Sequence, residues 1–333
     1  MKHTTKGLLA AAALAAAGAA HAQADTSVYG VADLSYGRFE SSGQLRAHRY
    51  NSNSLTASFV GVNAKYGLDD GWTPGITLET FVRFQDMRLG RNDKDPILSR
   101  NAFVSLGSNY GLLRVGRLQT FLFDATLRFN ALGNSVAFSP AVRHIFAAGN
   151  LQGVQRDFYW NRAASWQSPV YEGMSVSLMG AQGEDNDRGD LIGGSLIVNR
   201  SLLAVGLSAQ SVKVNNGIDD PTDEQTWQLG TTYNFGWARV FAQFTATSDA
   251  GLDVASRIVS AGVNVPLGPG NVLLQIATST TEGPAVNRKH TSTSAAYVYA
   301  YDSVIDLYLM GMDDRVKGQT RGLSVAVGAR LRF

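Results

Sequence analysis

The last eleven residues restrict the fold more than any other stretch. Leu323, Val325, Val327, Ala329, Leu331 and Phe333 alternate with Ser324, Ala326, Gly328, Arg330 and Arg332. A period of two places the apolar set on one face of a strand and the polar set on the other. The pattern recurs. Trp227, Leu229, Thr231, Tyr233 and Phe235 oppose Gln228, Gly230, Thr232 and Asn234, and Leu203, Val205, Leu207 and Ala209 oppose Ala204, Gly206, Ser208 and Gln210. Ile76, Leu78, Thr80, Val82 and Phe84 oppose Thr77, Glu79, Phe81, Arg83 and Gln85. Two sheets packed as a soluble sandwich would bury two apolar faces. Here the second face carries Gln, Asn, Glu and Arg, as a sheet with lipid on one side and water on the other requires.

The rest of the chain agrees. Lys2 and Lys6, an apolar run from Gly7 to Ala19, and Ala20-His21-Ala22 read as a secretory signal peptide over 1–22, cleaved after Ala22. The remaining 23–333 form one domain, with no linker or composition shift inside it. That part holds 27 Lys+Arg against 27 Asp+Glu, so overall charge argues for no nucleic-acid partner. It contains no cysteine and no apolar run long enough for a membrane helix. An exported chain of this kind must be held by a large core or by a closed hydrogen-bonded sheet.

Strands are expected near 26–38, 54–67, 72–86, 99–110, 111–120, 156–168, 173–182, 189–200, 201–213, 224–235, 236–248, 254–266, 269–280, 290–301, 302–312 and 320–333. These are sixteen, an even number as closed bacterial barrels show. Short turns at 109–111, 199–201 and 235–237 alternate with polar loops at 39–53, 87–98, 121–155, 214–223 and 281–289. Tyr297, Tyr299 and Tyr301 share one face near a strand end, where aromatic side chains mark a membrane boundary.

Specific motifs now suggest a family. Ser27-Val28-Tyr29-Gly30-Val31-Ala32-Asp33 is similar to the first strand of the trimeric Gram-negative general porins, most closely the β-proteobacterial type. Ser99 to Leu106, followed by Tyr110-Gly111-Leu112-Leu113-Arg114-Val115-Gly116-Arg117, resembles that family's fourth and fifth strands. Ser168-Pro169 and the terminal Phe333 are similar too. Two segments depart from the pattern. Thr56-Ala57-Ser58-Phe59-Val60-Gly61 lacks the family's basic positions, and Tyr301-Asp302-Ser303-Val304 replaces its usual turn.

The resemblance implies an all-β fold, a sixteen-stranded antiparallel transmembrane barrel with a long third loop folded inward. It implies a cell-outer-membrane, water-filled channel for passive diffusion of small hydrophilic solutes and ions. The implied partners are two further copies in a homotrimer, outer-membrane lipid and lipopolysaccharide, and the assembly machinery that reads Phe333. Small residues on the first strand, Gly30 and Ala32, suit a trimer contact.

The long loop at 121–155 has its own message, because a loop of this length in a compact chain is usually functional. After Asp124 no acid occurs until Asp157, while Arg128, Arg143, His144 and Arg156 intervene. Arg117 matches the family's pore arginine, although Leu113 and Val115 share its parity. Arg83 alternates with apolar neighbours, and Glu79 shares its face. Arg117, Arg83, Asp124, Arg128, Arg143 and Arg156 are therefore the candidate constriction residues, and a positive ring in a narrow pore favours anions.

External acids at Glu184, Asp185, Asp187, Asp190, Asp219, Asp220, Asp223 and Glu224 lack a calcium-loop pattern and read as solvated surface. Bridging to lipopolysaccharide through divalent ions stays open. No metal or cofactor is expected. Two other functions compete. A channel specific for an organic acid, phosphate or sugar would differ only in loop geometry. A barrel enzyme would need a base beside a nucleophile, yet His48 and His144 fall in expected loops, His290 stands at the border of loop and strand, and His144 has no local acid.

Overall fold

The computed structural model describes residues 24–147, 151–183, 189–214 and 221–333. The expected signal segment lies outside them, as do Glu184, Asp185, Asp187, Asp219 and Asp220. Sixteen strands run in sequence: β1 Ala24–Phe39, β2 Phe59–Tyr66, β3 Thr73–Arg83, β4 Ala102–Ser108, β5 Gly111–Gln119, β6 Tyr159–Gln167, β7 Met174–Ala181 and β8 Leu191–Arg200. They continue as β9 Leu203–Val214, β10 Thr222–Asn234, β11 Arg239–Asp249, β12 Val254–Leu267, β13 Gly270–Gly283, β14 Val286–Ala300, β15 Ile305–Val316 and β16 Gly322–Arg332. Each pairs antiparallel with its neighbours. β16 returns to β1, with Val31 opposite Arg332 and Arg38 opposite Val325, so the sheet closes. Closure leaves no open edge, the condition for a sheet to cross lipid.

The alternation read from sequence holds around the ring. Leu323, Val325, Val327, Leu331, Trp227, Leu229, Leu203, Leu207 and Ile76 are exposed on the outside, while Ser324, Ala326, Gln228, Ser208 and Gln210 are buried inside. Tyr299 and Tyr301 are exposed at the end that carries the turns and the C-terminus. Opposite that end lie the long connections.

Three boundaries differ from expectation. The 281–289 region is a tight hairpin instead of a loop, with Gly283 paired to Val286, so β13 and β14 extend. Residues 54–58 do not begin β2. They turn into the barrel, where Asp33 accepts from the backbone N–H groups of Ser54 and Thr56, each at 3.2 Å. His290 is a strand residue of β14, and His48 lies in a short strand, Ala47–Asn51, paired with the end of β1.

Candidate functional site

The connection from β5 to β6 folds inward. Two helices stiffen it. Thr120 caps α1 (Phe121–Arg128), its hydroxyl accepting from Phe123 N, and Ser139 caps α2 (Pro140–Ile145), which begins with proline. The helices bury Phe121, Leu122, Phe123, Val142 and Ile145, apolar side chains that a loop in water would not order.

The barrel wall supplies the polar partners. Gln228 Nε2 donates to Thr126 Oγ1 at 2.9 Å, and Gln243 Nε2 donates to the Thr126 carbonyl at 2.8 Å. Ser294 Oγ donates to Phe138 O at 2.6 Å. Phe129 lies against the glycines of β9 and β10. A Cβ on Gly206 would come within 2.5 Å of its ring, and one on Gly230 within 2.2 Å. Part of the polar inner face is therefore covered by the loop, although its residue types read as wet.

A second fastening joins residues distant in sequence. The rings of His144 and His290 stack with centroids 4.0 Å apart. His144 contacts Ser279 Oγ at 3.0 Å and Ser292 Oγ at 2.8 Å. His290 Nε2 meets Asp314 at 2.7 Å, and Arg143 reaches the same carboxylate at 3.7 Å. An acid from β15 thus reaches this pair, at His290 rather than at His144. Ser292, His290 and Asp314 nevertheless lack a relay geometry. Both the hydroxyl and the carboxylate address Nε2, while Nδ1 faces Gln152. A relay needs the acid and the nucleophile on opposite nitrogens. Burial first, then the adjacent His290, holds the His144 imidazole well below its ordinary value despite Asp314.

The candidate arginines separate into two groups. Arg117 is 9% exposed and closed in by partners: it donates to the carbonyls of Ser99 and Tyr159, to Asn161 and to Asp157 at 3.1 Å. Parity could not place it, because Gly116 at φ +145 and a bulge opposite, between Trp160 and Ala163, break the pleat. Burial favours the neutral form of Asp157, but Arg91 and Arg117 outweigh this and hold its carboxyl below the usual range. Arg83 pairs with Asp86 and Asp93, Arg156 donates to Lys213 O at 2.8 Å, and Arg143 also donates to Ser41 at 3.0 Å. Arg128, by contrast, is exposed in the last turn of α1 and touches the Asn199 amide. Asp124 is also exposed and accepts from Gln119.

Sequence reasoning missed Arg114 and Arg49. Arg114 faces inward on β5, opposite Ser105 and Ser165, over the Phe103 and Phe121 rings at 5.8 and 5.5 Å. Its parity was the available signal, overshadowed by the matched Arg117. Arg49 lies over Phe39 at 5.1 Å. Among the described residues, neither these two nor Arg128 forms an ion pair.

The lumen acids are occupied. Asp33 also accepts from Tyr308 at 2.8 Å, Glu79 from Tyr29 at 2.7 Å and from Asn101, and Asp306 is bound by Arg330 and Arg332.

Comparison with known proteins agrees with this architecture. The outer membrane porin protein 32 of Delftia acidovorans is 28% identical over 327 residues, covering 91% of this chain and 87% of that protein. The solved anion-selective porin from Comamonas acidovorans superposes with a TM-score of 0.79 at 20% identity, over 93% of this chain and all of the other. The trimer form of OmpT from Vibrio cholerae does so at 0.71 and 14%, with 93% of this chain and 100% of that one covered. The family model of Gram-negative porins matches residues 9–319. With its closed barrel and lumen loop, this chain belongs to the Gram-negative porin family and is an outer-membrane channel.

Proposed function

We propose that the channel admits small hydrophilic solutes and prefers anions. One asymmetry carries the reading. The lumen carboxylates of Glu79, Asp157, Asp306 and Asp314 lie in ion pairs, whereas Arg49, Arg114 and Arg128 form none among the described residues. Paired charges cancel at a distance, so the unpaired cations set the sign of the field along the pore. Arg128 and Arg114 carry selectivity in this reading, opposed by Asp124. Arg117, Arg83, Arg143 and Arg156 hold loops in place. The anion-selective description of the Comamonas porin supports it. Under a salt gradient across a planar bilayer, the reversal potential should have the anionic sign. Arg128→Glu should move it toward the cationic sign. A cationic potential for the unaltered protein would overturn the proposal.

The working unit in this reading is a homotrimer, as the trimer form of OmpT suggests. Unheated protein in mild detergent should migrate as a trimer, and a band at monomer mass would count against it. Gly30 has a nearer role than that contact. It exchanges backbone hydrogen bonds of 2.9 and 3.2 Å with Phe333, whose ring occupies the place of its Cβ. Phe333 is the last rung of the seam and, in the proposed reading, the assembly signal. Its deletion should abolish insertion into the outer membrane. A purely structural role would cost only about 2 kcal/mol and leave much of the protein inserted, an outcome that counts against the signal.

A further inference from the structure

Beneath the tip of the lumen loop lies a recess that the loop's own attachment leaves unfilled. Between α1 and α2 the chain turns at 131–134, and hydrogen bonds hold the turn in place. Asn130 Nδ2 donates to Gly133 O at 2.7 Å, Ala57 N donates to Asn134 O at 3.3 Å, and Ser135 Oγ donates to Ser54 O. Ala131 rests on β12, where a Cβ on Gly262 would come within 2.8 Å of its methyl. Asn264 follows two residues later, on the same inner face and nearer the turn-bearing end.

The loop tip, the inward segment at 55–56 and the wall of β12, β13, β14 and β16 together surround a space of about 220 Å³. That is roughly the liquid volume of seven waters, smaller than the usual site for a drug-sized ligand, and it suits one small solute. Polar groups come from every side: Asn134 from the tip, Thr56 from the inward segment, and Asn264, Asn271 and Arg330 from the wall. Leu132, Leu273 and Val298 supply an apolar flank.

Two observations select the occupant. First, the charge is already balanced. Arg330 gives Nε and Nη2 to Asp306 at 2.9 and 2.6 Å and Nη1 to Thr56 Oγ1 at 2.7 Å. Arg332 shares Asp306 at 2.9 Å, and Asp33 accepts from Thr56 N at 3.2 Å. Two guanidinium groups thus stand beside two carboxyl groups, and neither sign of ligand gains a strong net attraction. Second, Asn264 Oδ1 is buried and has no hydrogen-bond partner among the described residues. An orphan acceptor requires a donor, which a hydroxyl supplies and an ionised carboxylate does not. The Thr56 hydroxyl, which accepts from Arg330, has its own proton to give in return.

We propose that this recess binds one neutral polyhydroxylated solute of monosaccharide size. Its hydroxyls meet Asn264, Asn271 and Thr56, and its C–H face lies on Leu132 and Leu273. Hydroxyls both donate and accept, so they match amides that do the same. The proposal deepens the reading of the lumen as a route for small hydrophilic solutes and rests on it. The recess lies between the loop and the turn-bearing end, so an occupant obstructs ion flow there.

The test is single-channel conductance of the full chain at constant ionic strength with increasing glucose. Viscosity alone lowers the current in proportion to the added solute, whereas binding adds a component that saturates. The unaltered protein should show that component. Asn264→Leu removes the orphan amide at similar volume and should raise the half-saturating glucose concentration about tenfold. Asn271→Phe fills the recess with a ring and should abolish saturation, while unheated gel mobility reports an intact barrel for both variants. A purely proportional response of the unaltered protein, or unchanged saturation in either variant, would overturn the proposal. Saturation by sodium gluconate with none by glucose would assign the recess to carboxylates and overturn it too. A chain that carries no ion current at all would overturn the channel reading itself, which is a separate result.

Discussion

Replacing Gly230 by valine should lift the lumen loop from the wall and enlarge the channel. The Phe129 ring is 1% exposed and fills the space of a Cβ at that glycine, 2.2 Å away, so any side chain there displaces it. Losing a buried phenylalanine contact costs about 3–5 kcal/mol when the side chain is truncated to alanine. The displaced ring should also disturb the bonds from Gln228 and Gln243 to Thr126, one turn earlier on α1. Barrel closure does not depend on this contact, because the ladders of β9, β10 and β11 remain. Single-channel conductance should therefore rise, and larger sugars should enter proteoliposomes faster. The double variant Phe129→Ala, Gly230→Val lets the new methyls occupy part of the vacated space and should recover some restriction. If Gly230→Val folds and conducts like the unaltered protein, Phe129 is not the anchor.

The barrel was legible in the sequence because a lipid boundary is unforgiving: Leu323, Val325, Val327 and Leu331 must all face one way, and a slip of one residue would reverse them. The inward loop was legible in its length and in its lack of acids after Asp124. What parity cannot show is which inward residues meet water. Gln228 and Gln243 look like pore lining, yet they bind the loop and are almost wholly buried. The partners of the charges were equally hidden. Asp157, at the far limit of the acid-free stretch, closes on Arg117 forty residues earlier, and Asp314 reaches His290 and Arg143 from another strand. Residues 54–58 misled for a related reason. Their small and apolar side chains suit a strand, but Asp33 offers their backbone N–H groups a better acceptor inside the barrel.

The two fastenings of the loop should respond differently to acid. Phe129 between its glycines has no titratable group, whereas His144 does. In place, burial first, then the stacked His290 and Arg143, oppose protonation of that imidazole, while Asp314 favours it. Detached into lumen water, it would regain a value of about 6.5. A base held below its free value contributes attachment that is fully present above that free value and is lost as pH falls through it, because only the detached loop takes up the proton. Each pH unit below about 6.5 weakens the fastening by up to about 1.4 kcal/mol, so at pH 5 the detached population rises by at most roughly thirtyfold. Single channels should be quiet at pH 7.5 and show frequent transitions at pH 5. His144→Gln removes the titrating group while an amide can still hydrogen-bond Ser279 or Ser292, and its open-channel noise should be nearly independent of pH. If the variant retains the full acid response, the switch lies in another group and His144 is only packing.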